Sequence, residues 1–239
     1  MYQDIKLIAM DLDGTLSQHK TPVSAENQEI LMRLAQKYKL LMVGAGKLDR
    51  IFNQLCRLPI DIIGNYGMQY GVYNAETKAI DMVRDECVPC DRETVTQKVN
   101  ALREKYGFTE FVGDSVEFHD SGCVTIPLLG TKAQLEEKLA FDPDRTKRRA
   151  FYEEVVAMFD EFCVFVGGTS SFDMAPKPYN KYFALDNYCK EQGIAHSQVV
   201  FIGDDYGLGG NDEPVYKSDF NYITIDNYLD FPEKVKELL

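Results

Sequence analysis

Ile5-Lys6-Leu7-Ile8-Ala9-Met10-Asp11-Leu12-Asp13-Gly14-Thr15 passes from an apolar run directly into a pair of carboxylates. Residues 5–10 read as a buried strand, because a short, nearly continuous apolar run is what a parallel strand covered on both faces needs. Asp11 and Asp13 then fall at the carboxyl end of that strand, where open α/β sheets bind their ligands. Two acids one residue apart in an extended segment would face opposite sides. The loop must turn to bring them together, and Gly14 permits the turn. An Asp-rich turn without function can carry the same letters; the preceding strand and the following Thr15 favour a site.

Working outward, strand and helix alternate. Ser24 is placed to cap a helix with Ile30, Leu31, Leu34 and Tyr38 on one face. Leu40–Val43 reads as a second strand, Asp49–Leu58 as a short helix and Ile60–Ile63 as a third strand. Such alternation predicts parallel strands joined by helical crossovers. The pattern then changes. Met68–Tyr73 and Ala79–Val83 flank the polar turn Asn74-Ala75-Glu76-Thr77 and predict a hairpin. Arg92–Tyr106 reads as a helix, Val116–His119 and Cys123–Pro127 as strands, Thr146–Phe162 as a helix and Cys163–Val166 as a strand. After Pro176 the first pattern returns, with a helix over Lys181–Gln192 and strands at Val199–Ile202 and Asn221–Ile225. The expected organisation is an α/β core of residues 1–84 and 176–239, interrupted by an α+β domain over 85–175.

Composition narrows the function. A formal net charge of −12 argues against a nucleic-acid partner, whose phosphates would be repelled. A small phosphorylated substrate meets the same repulsion and needs a local cation. No apolar run reaches the roughly 18 residues that span a bilayer, and no leader pattern opens the chain. The expectation is a cytoplasmic protein with no membrane partner. Six cysteines are scattered along the chain. Cys87-Val88-Pro89-Cys90 lacks the second ligand pair that a zinc site wants.

Two further elements carry chemistry. Phe201-Ile202-Gly203-Asp204-Asp205 ends another apolar strand and continues as Tyr206-Gly207-Leu208-Gly209-Gly210-Asn211-Asp212. Acids at two strand ends of one sheet make an oxygen-rich pocket of the kind Mg²⁺ accepts. A mobile glycine-rich loop is the plainer reading of the second stretch. Lys181, near the start of a helix, can balance those carboxylates and keep a nucleophilic aspartate ionised; a solvated surface lysine is the usual alternative. Together the parts describe covalent catalysis by a carboxylate, with a metal offsetting anionic repulsion.

Asp11-x-Asp13-Gly-Thr, Lys181 and Gly203-Asp204 resemble the first, third and fourth motifs of the haloacid dehalogenase-like (HAD) superfamily. Ser171-Phe172-Asp173 with Pro176 and Lys181, and Gly203-Asp204…Gly209-Gly210-Asn211-Asp212, are similar to the eukaryotic-type phosphomannomutase and type IIB sugar-phosphatase branch. The resemblance implies a Rossmann-like parallel-sheet core with an inserted cap of type C2b. It implies Asp11 as nucleophile and Asp13 as general acid and base. It implies Mg²⁺ held by Asp11, the Asp13 carbonyl and Asp204, with Asp212 beside them, and Ser171 and Asp173 as substrate contacts. A homodimer through the cap is a further expectation.

The chain departs from that pattern where phosphate is gripped. Arginines of the branch align with Lys20, His119, Thr131 and Lys138, and the phosphoryl-binding Ser or Thr of the second superfamily motif aligns with Gly46, followed by Lys47. Lysine does not reproduce the bidentate arginine fork. A mutase must hold a sugar bisphosphate in both orientations. The sequence reading therefore puts a Mg²⁺-dependent sugar phosphatase first, with Lys20, Gly46, Lys47, His119, Lys138, Ser171 and Asp173 as substrate contacts. Phosphomannomutase is the alternative, and a non-catalytic metal-binding protein the remote one.

Overall fold

The computed structural model describes residues 4–239. In chain order its elements begin with β1 (Leu7–Met10), α1 (Ala25–Leu34), β2 (Lys39–Val43), α2 (Leu48–Gln54), β3 (Asp61–Gly64), β4 (Gln69–Asn74) and β5 (Ala79–Asp85). There follow α3 (Arg92–Tyr106), β6 (Glu117–Phe118), β7 (Val124–Pro127), α4 (Leu135–Phe141), α5 (Thr146–Arg149), α6 (Tyr152–Met158), β8 (Phe162–Phe165) and β9 (Ser171–Pro176). The chain closes with α7 (Lys181–Gln192), β10 (Val199–Gly203), α8 (Glu213–Tyr216), β11 (Asn221–Thr224) and α9 (Phe231–Lys234).

Two compact units result. The first holds the residues up to Glu86 with Asn180–Gly207 and Asp212–Leu239; the second holds Cys87–Tyr179 and Leu208–Asn211. The sequence pattern alone put Leu208–Asn211 with its flanking residues. In the structure the Val166 N–H donates to the Gly209 carbonyl at 2.8 Å, and Arg149 Nε donates to the Leu208 carbonyl at 3.0 Å.

The first unit is built on a seven-stranded sheet in the order β11-β10-β1-β2-β3-β4-β5. The pairs from β11 to β3 are parallel, and the hairpin β4–β5 closes one side antiparallel. Alternate residues of each strand go to opposite faces. Ile8, Met10, Met42, Ile62 and Ile202 are buried on one; Leu7, Ala9, Leu41, Ile63 and Phe201 on the other. Both faces are covered, which is why these strands read as unbroken apolar runs rather than alternating ones. Met10 pairs with Ile202 on one side and Met42 on the other, so the carboxyl ends of β1, β10 and β2 come level.

Helix ends follow local chemistry. The Ser24 side chain accepts from the Asn27 N–H at 3.2 Å and opens α1, whose Ile30, Leu31 and Leu34 are buried. Asn180 accepts from the Phe183 N–H at 2.9 Å and opens α7, leaving Lys181 as its first residue.

The second unit has a four-stranded antiparallel sheet, β6-β7-β9-β8. Val95, Val99 and Leu102 of α3 pack with Val124, Ile126, Phe172 and Met174 of the sheet. One local expectation fails here, and one element is added. The single helix predicted over Thr146–Phe162 is broken at Ala150-Phe151 into α5 and α6. Arg148 is turned wholly inward, bonding Asp142 and the carbonyls of Gly167 and Ser171, which ties α5 down independently of α6. Helix α4 was not foreseen. It buries no residue fully, and Leu135 and Leu139 are exposed; only Phe141 at its end packs against the core, beside Phe108.

Candidate active site

Asp11 leaves β1 with its N–H donating to the Ile202 carbonyl at 2.9 Å, which continues the β1–β10 ladder one residue past the strand. The loop then turns sharply. Gly14 has φ +92°, and a Cβ there would fall 2.7 Å from Cγ of Asp204. The missing side chain is what lets the two acid loops meet. Thr15 Oγ1 donates to Asp204 Oδ1 at 2.8 Å and ties them together.

Asp11, Asp204 and Asp212 each offer a carboxylate oxygen within 4.8 Å of the others. Lys181 Nζ sits 2.8 Å from Asp11 Oδ1 and 2.7 Å from Asp212 Oδ1. Its side chain has no solvent exposure. A positive charge in the first turn of a helix opposes the helix dipole, so these two carboxylates must compensate both that and desolvation. Burial alone would lower the Lys181 pKa; the charges of Asp11 and Asp212 outweigh it and push it up. The ammonium is therefore a fixed cation here, unsuited to give up a proton near neutrality.

One cation does not balance three acids. Burial, then the charges of Asp11 and Asp212, push the Asp204 carboxyl up to about 8. Burial likewise pushes Asp212 up, against the pull of Lys181. Uncompensated oxygen donors at this spacing suit a hard divalent cation, whose charge would restore ionisation. Both Asp212 oxygens are already engaged, Oδ1 by Lys181 and Oδ2 by the Asp205 N–H at 3.0 Å. Asp11 and Asp204 are the freer donors.

Asp13 is held quite differently. Its Oδ1 accepts from the Lys20 backbone N–H at 2.7 Å and from Gln54 Nε2 at 2.6 Å; its Oδ2 accepts from Arg50 Nη1 at 2.8 Å. Burial raises its pKa, but the bonds from Gln54 and Lys20 and the Arg50 charge together hold it below the usual carboxylate value. Nearby His19 is pushed down, mainly by burial.

The sequence-predicted residues thus fall into separate groups. Asp11, Lys181, Asp204 and Asp212 form one cluster. Lys20 meets Asp13 through its backbone, while its side chain is exposed. Gly46 and Lys47 form the turn between β2 and α2; Lys47 is exposed. In the second unit, Thr125 pairs across the sheet with Asp173. Thr125 Oγ1 donates to Asp173 Oδ1 at 3.0 Å and lies 3.1 Å from His119 Nε2, and Ser171 Oγ is 3.5 Å from the same Asp173 oxygen. His119, Ser171 and Asp173 are together; Lys138 is apart, donating to the Thr131 carbonyl at 3.2 Å. Arg50, Gln54 and Thr125 were missed. Arg50 and Gln54 are neighbours on one face of α2, being four residues apart, but that spacing does not point to Asp13.

The sequence model of eukaryotic phosphomannomutase matches residues 27–239. The chain belongs to that family. Among curated relatives, a phosphomannomutase from Encephalitozoon cuniculi is 28% identical, covering 100% of this chain and 96% of its own length. One from Saccharomyces cerevisiae is 24% identical, covering 98% and 92%. Among solved structures, an IMP-nucleotidase from Plasmodium falciparum superposes with TM-score 0.73 at 14% identity, over 99% of this chain and 68% of that one. A HAD-superfamily phosphatase from Bacteroides thetaiotaomicron superposes with TM-score 0.64 at 15% identity, over 98% and 95%. The fold is that of the HAD superfamily. Among the described residues no helix is long and apolar enough to cross a membrane.

Proposed function

We propose that this chain moves a phosphoryl group between Asp11 and the hydroxyls of a hexose phosphate, as a phosphomannomutase. The observation that carries the phosphoryl-transfer chemistry is the buried ammonium of Lys181 between Asp11 and Asp212, with Asp204 beside them. It holds one oxygen of Asp11 and fixes the orientation of the carboxylate, as a nucleophile needs. Asp11 would attack phosphorus and form an aspartyl-phosphate. Asp13 would give the departing hydroxyl its proton and later take one back, once released from its present donors. Mg²⁺, held by Asp11, Asp204 and the Asp13 carbonyl, would supply charge neutralisation for the anionic substrate.

The names of the relatives support the mutase over the hydrolysis that the sequence reading put first. The second reading keeps one specific support. His119, Thr131 and Lys138 offer no arginine fork for the distal phosphate, and a poorly held bisphosphate would let water reach the aspartyl-phosphate. The deciding experiment supplies mannose 1-phosphate or glucose 1-phosphate with Mg²⁺ and a sugar 1,6-bisphosphate. Rapid formation of the 6-phosphate with little free phosphate is expected. Free phosphate as the main product would reinstate the phosphatase, and no reaction at all would sink both readings.

A further inference from the structure

The side chain missing at Gly46 is replaced by another residue's. An ideal Cβ at Gly46 would fall 2.5 Å from Nε and 2.6 Å from Cζ of Arg50, closer than real Cβ contacts come. The guanidinium therefore occupies the space in which a side chain at 46 would stand, in the turn that follows β2. That turn is level with the end of β1, because Met10 pairs with Met42.

Only one edge of this guanidinium is used. Nη1 donates to Asp13 Oδ2 at 2.8 Å and to Gln54 Oε1 at 2.9 Å. Nε and Nη2 donate to no acceptor among the described residues. The side chain is 39% exposed, so an incoming ligand can reach it. Arginine presents five donors in a planar fork that matches the oxygens of a phosphoryl group, and two parallel bonds to such oxygens add geometry and energy that a bond to a single carboxylate oxygen lacks. Asp13, meanwhile, has both carboxylate oxygens engaged, Oδ1 by the Lys20 N–H and Gln54 and Oδ2 by this guanidinium.

We infer that Arg50 is a phosphoryl-binding residue, which exchanges its contact with Asp13 for oxygens of the transferring group and thereby frees Asp13 for proton transfer. Gly46 is the complementary half of the device, since any larger residue there would displace the guanidinium. This rests on the phosphoryl-transfer role of Asp11 proposed above. No bond is made or broken by Arg50 itself; a hydrogen-bonded ion pair is replaced by another.

The test uses the full chain with Mg²⁺ and beryllium trifluoride, which binds a carboxylate as a phosphoryl mimic, read by ¹⁹F NMR. Wild type should form the adduct, and Asp11→Asn should not. Arg50→Ala should weaken adduct affinity on the order of tenfold or more, the scale of a lost charge-assisted hydrogen bond. Arg50→Lys should recover only part of it. Gly46→Ala should weaken it as Arg50→Ala does, and the double variant should be no worse than either alone. If Arg50→Ala lowers kcat but leaves adduct affinity unchanged, Arg50 merely positions Asp13 and the inference is overturned. Additive losses in the double variant would overturn the role given to Gly46. Failure of the wild type to form any adduct would instead strike the phosphoryl-transfer reading itself, and this inference with it.

Discussion

Arg148 Nε donates to Asp142 Oδ2 at 2.8 Å, and neither side chain has any solvent exposure. Burial pushes the Asp142 carboxyl up, but hydrogen bonds from Arg148 and from the backbone N–H groups of Lys147 and Arg148 prevail and hold it below the ordinary 3.8. A carboxyl lowered in the folded state stabilises the protein above its unfolded pKa. That contribution is lost as pH falls from about 4 through the lowered folded value. Asp142→Ala strands a buried guanidinium and should cost about 3–5 kcal/mol. Urea unfolding at pH 7 checks the cost, and a difference between variant and wild type that does not shrink toward pH 3 would contradict the linkage.

Lys181→Met should destabilise the first unit by a similar order, about 3–5 kcal/mol, because Asp11 and Asp212 are then buried without their compensating cation. Activity should fall with it. Thermal melts with and without Mg²⁺ check this: part of the lost stability should return with the metal, which replaces some of the missing charge. A variant as stable as wild type in the metal-free state would show that the ammonium is not what holds these carboxylates.

Asp13→Asn should act on turnover. Proton transfer contributes typically about 10²–10⁴-fold to rate. Steady-state kinetics should show kcat reduced by that order with KM little changed. An unchanged kcat with a raised KM would assign Asp13 to substrate binding instead.

Metal affinity should depend on pH. The Asp204 carboxyl is pushed up to about 8, first by burial and then by Asp11 and Asp212. Binding Mg²⁺ requires the ionised form, so affinity should rise as pH increases from 6 to 9, with proton release measurable by calorimetry. Without metal the sign for stability reverses that of Asp142. Between about 4 and 8 the folded state binds more protons at Asp204 than the unfolded chain does, so this group makes the metal-free protein less stable as pH rises. Mg²⁺ affinity flat over that range would show that Asp204 is not a ligand.

What the sequence made legible was local or repeated. Strands β1 and β10 were plain because burial on both faces leaves no alternation to decipher. Asp11, Asp204 and Lys181 were legible because each stands at the end or start of such an element. Arg50 and Gln54 were not. They meet Asp13 across 37 and 41 residues of chain, and no spacing rule links a helix face to a loop that far away. Arg148 was hidden for another reason. It lies within Lys147-Arg148-Arg149, where composition suggests solvent, yet only Lys147 is exposed and Arg149 is half-buried. In the second unit α4 escaped notice because nothing in it is fully buried.

Lys181 is closed to solvent, and its proton is held more tightly than that of an ordinary lysine. An amine-modifying reagent needs both access and a neutral nitrogen, and Lys181 offers neither while its helix stays docked. The exposed lysines will label on mixing. Lys181 will label only when the surrounding structure opens, and its modification, followed by mass spectrometry, becomes a built-in clock for that opening.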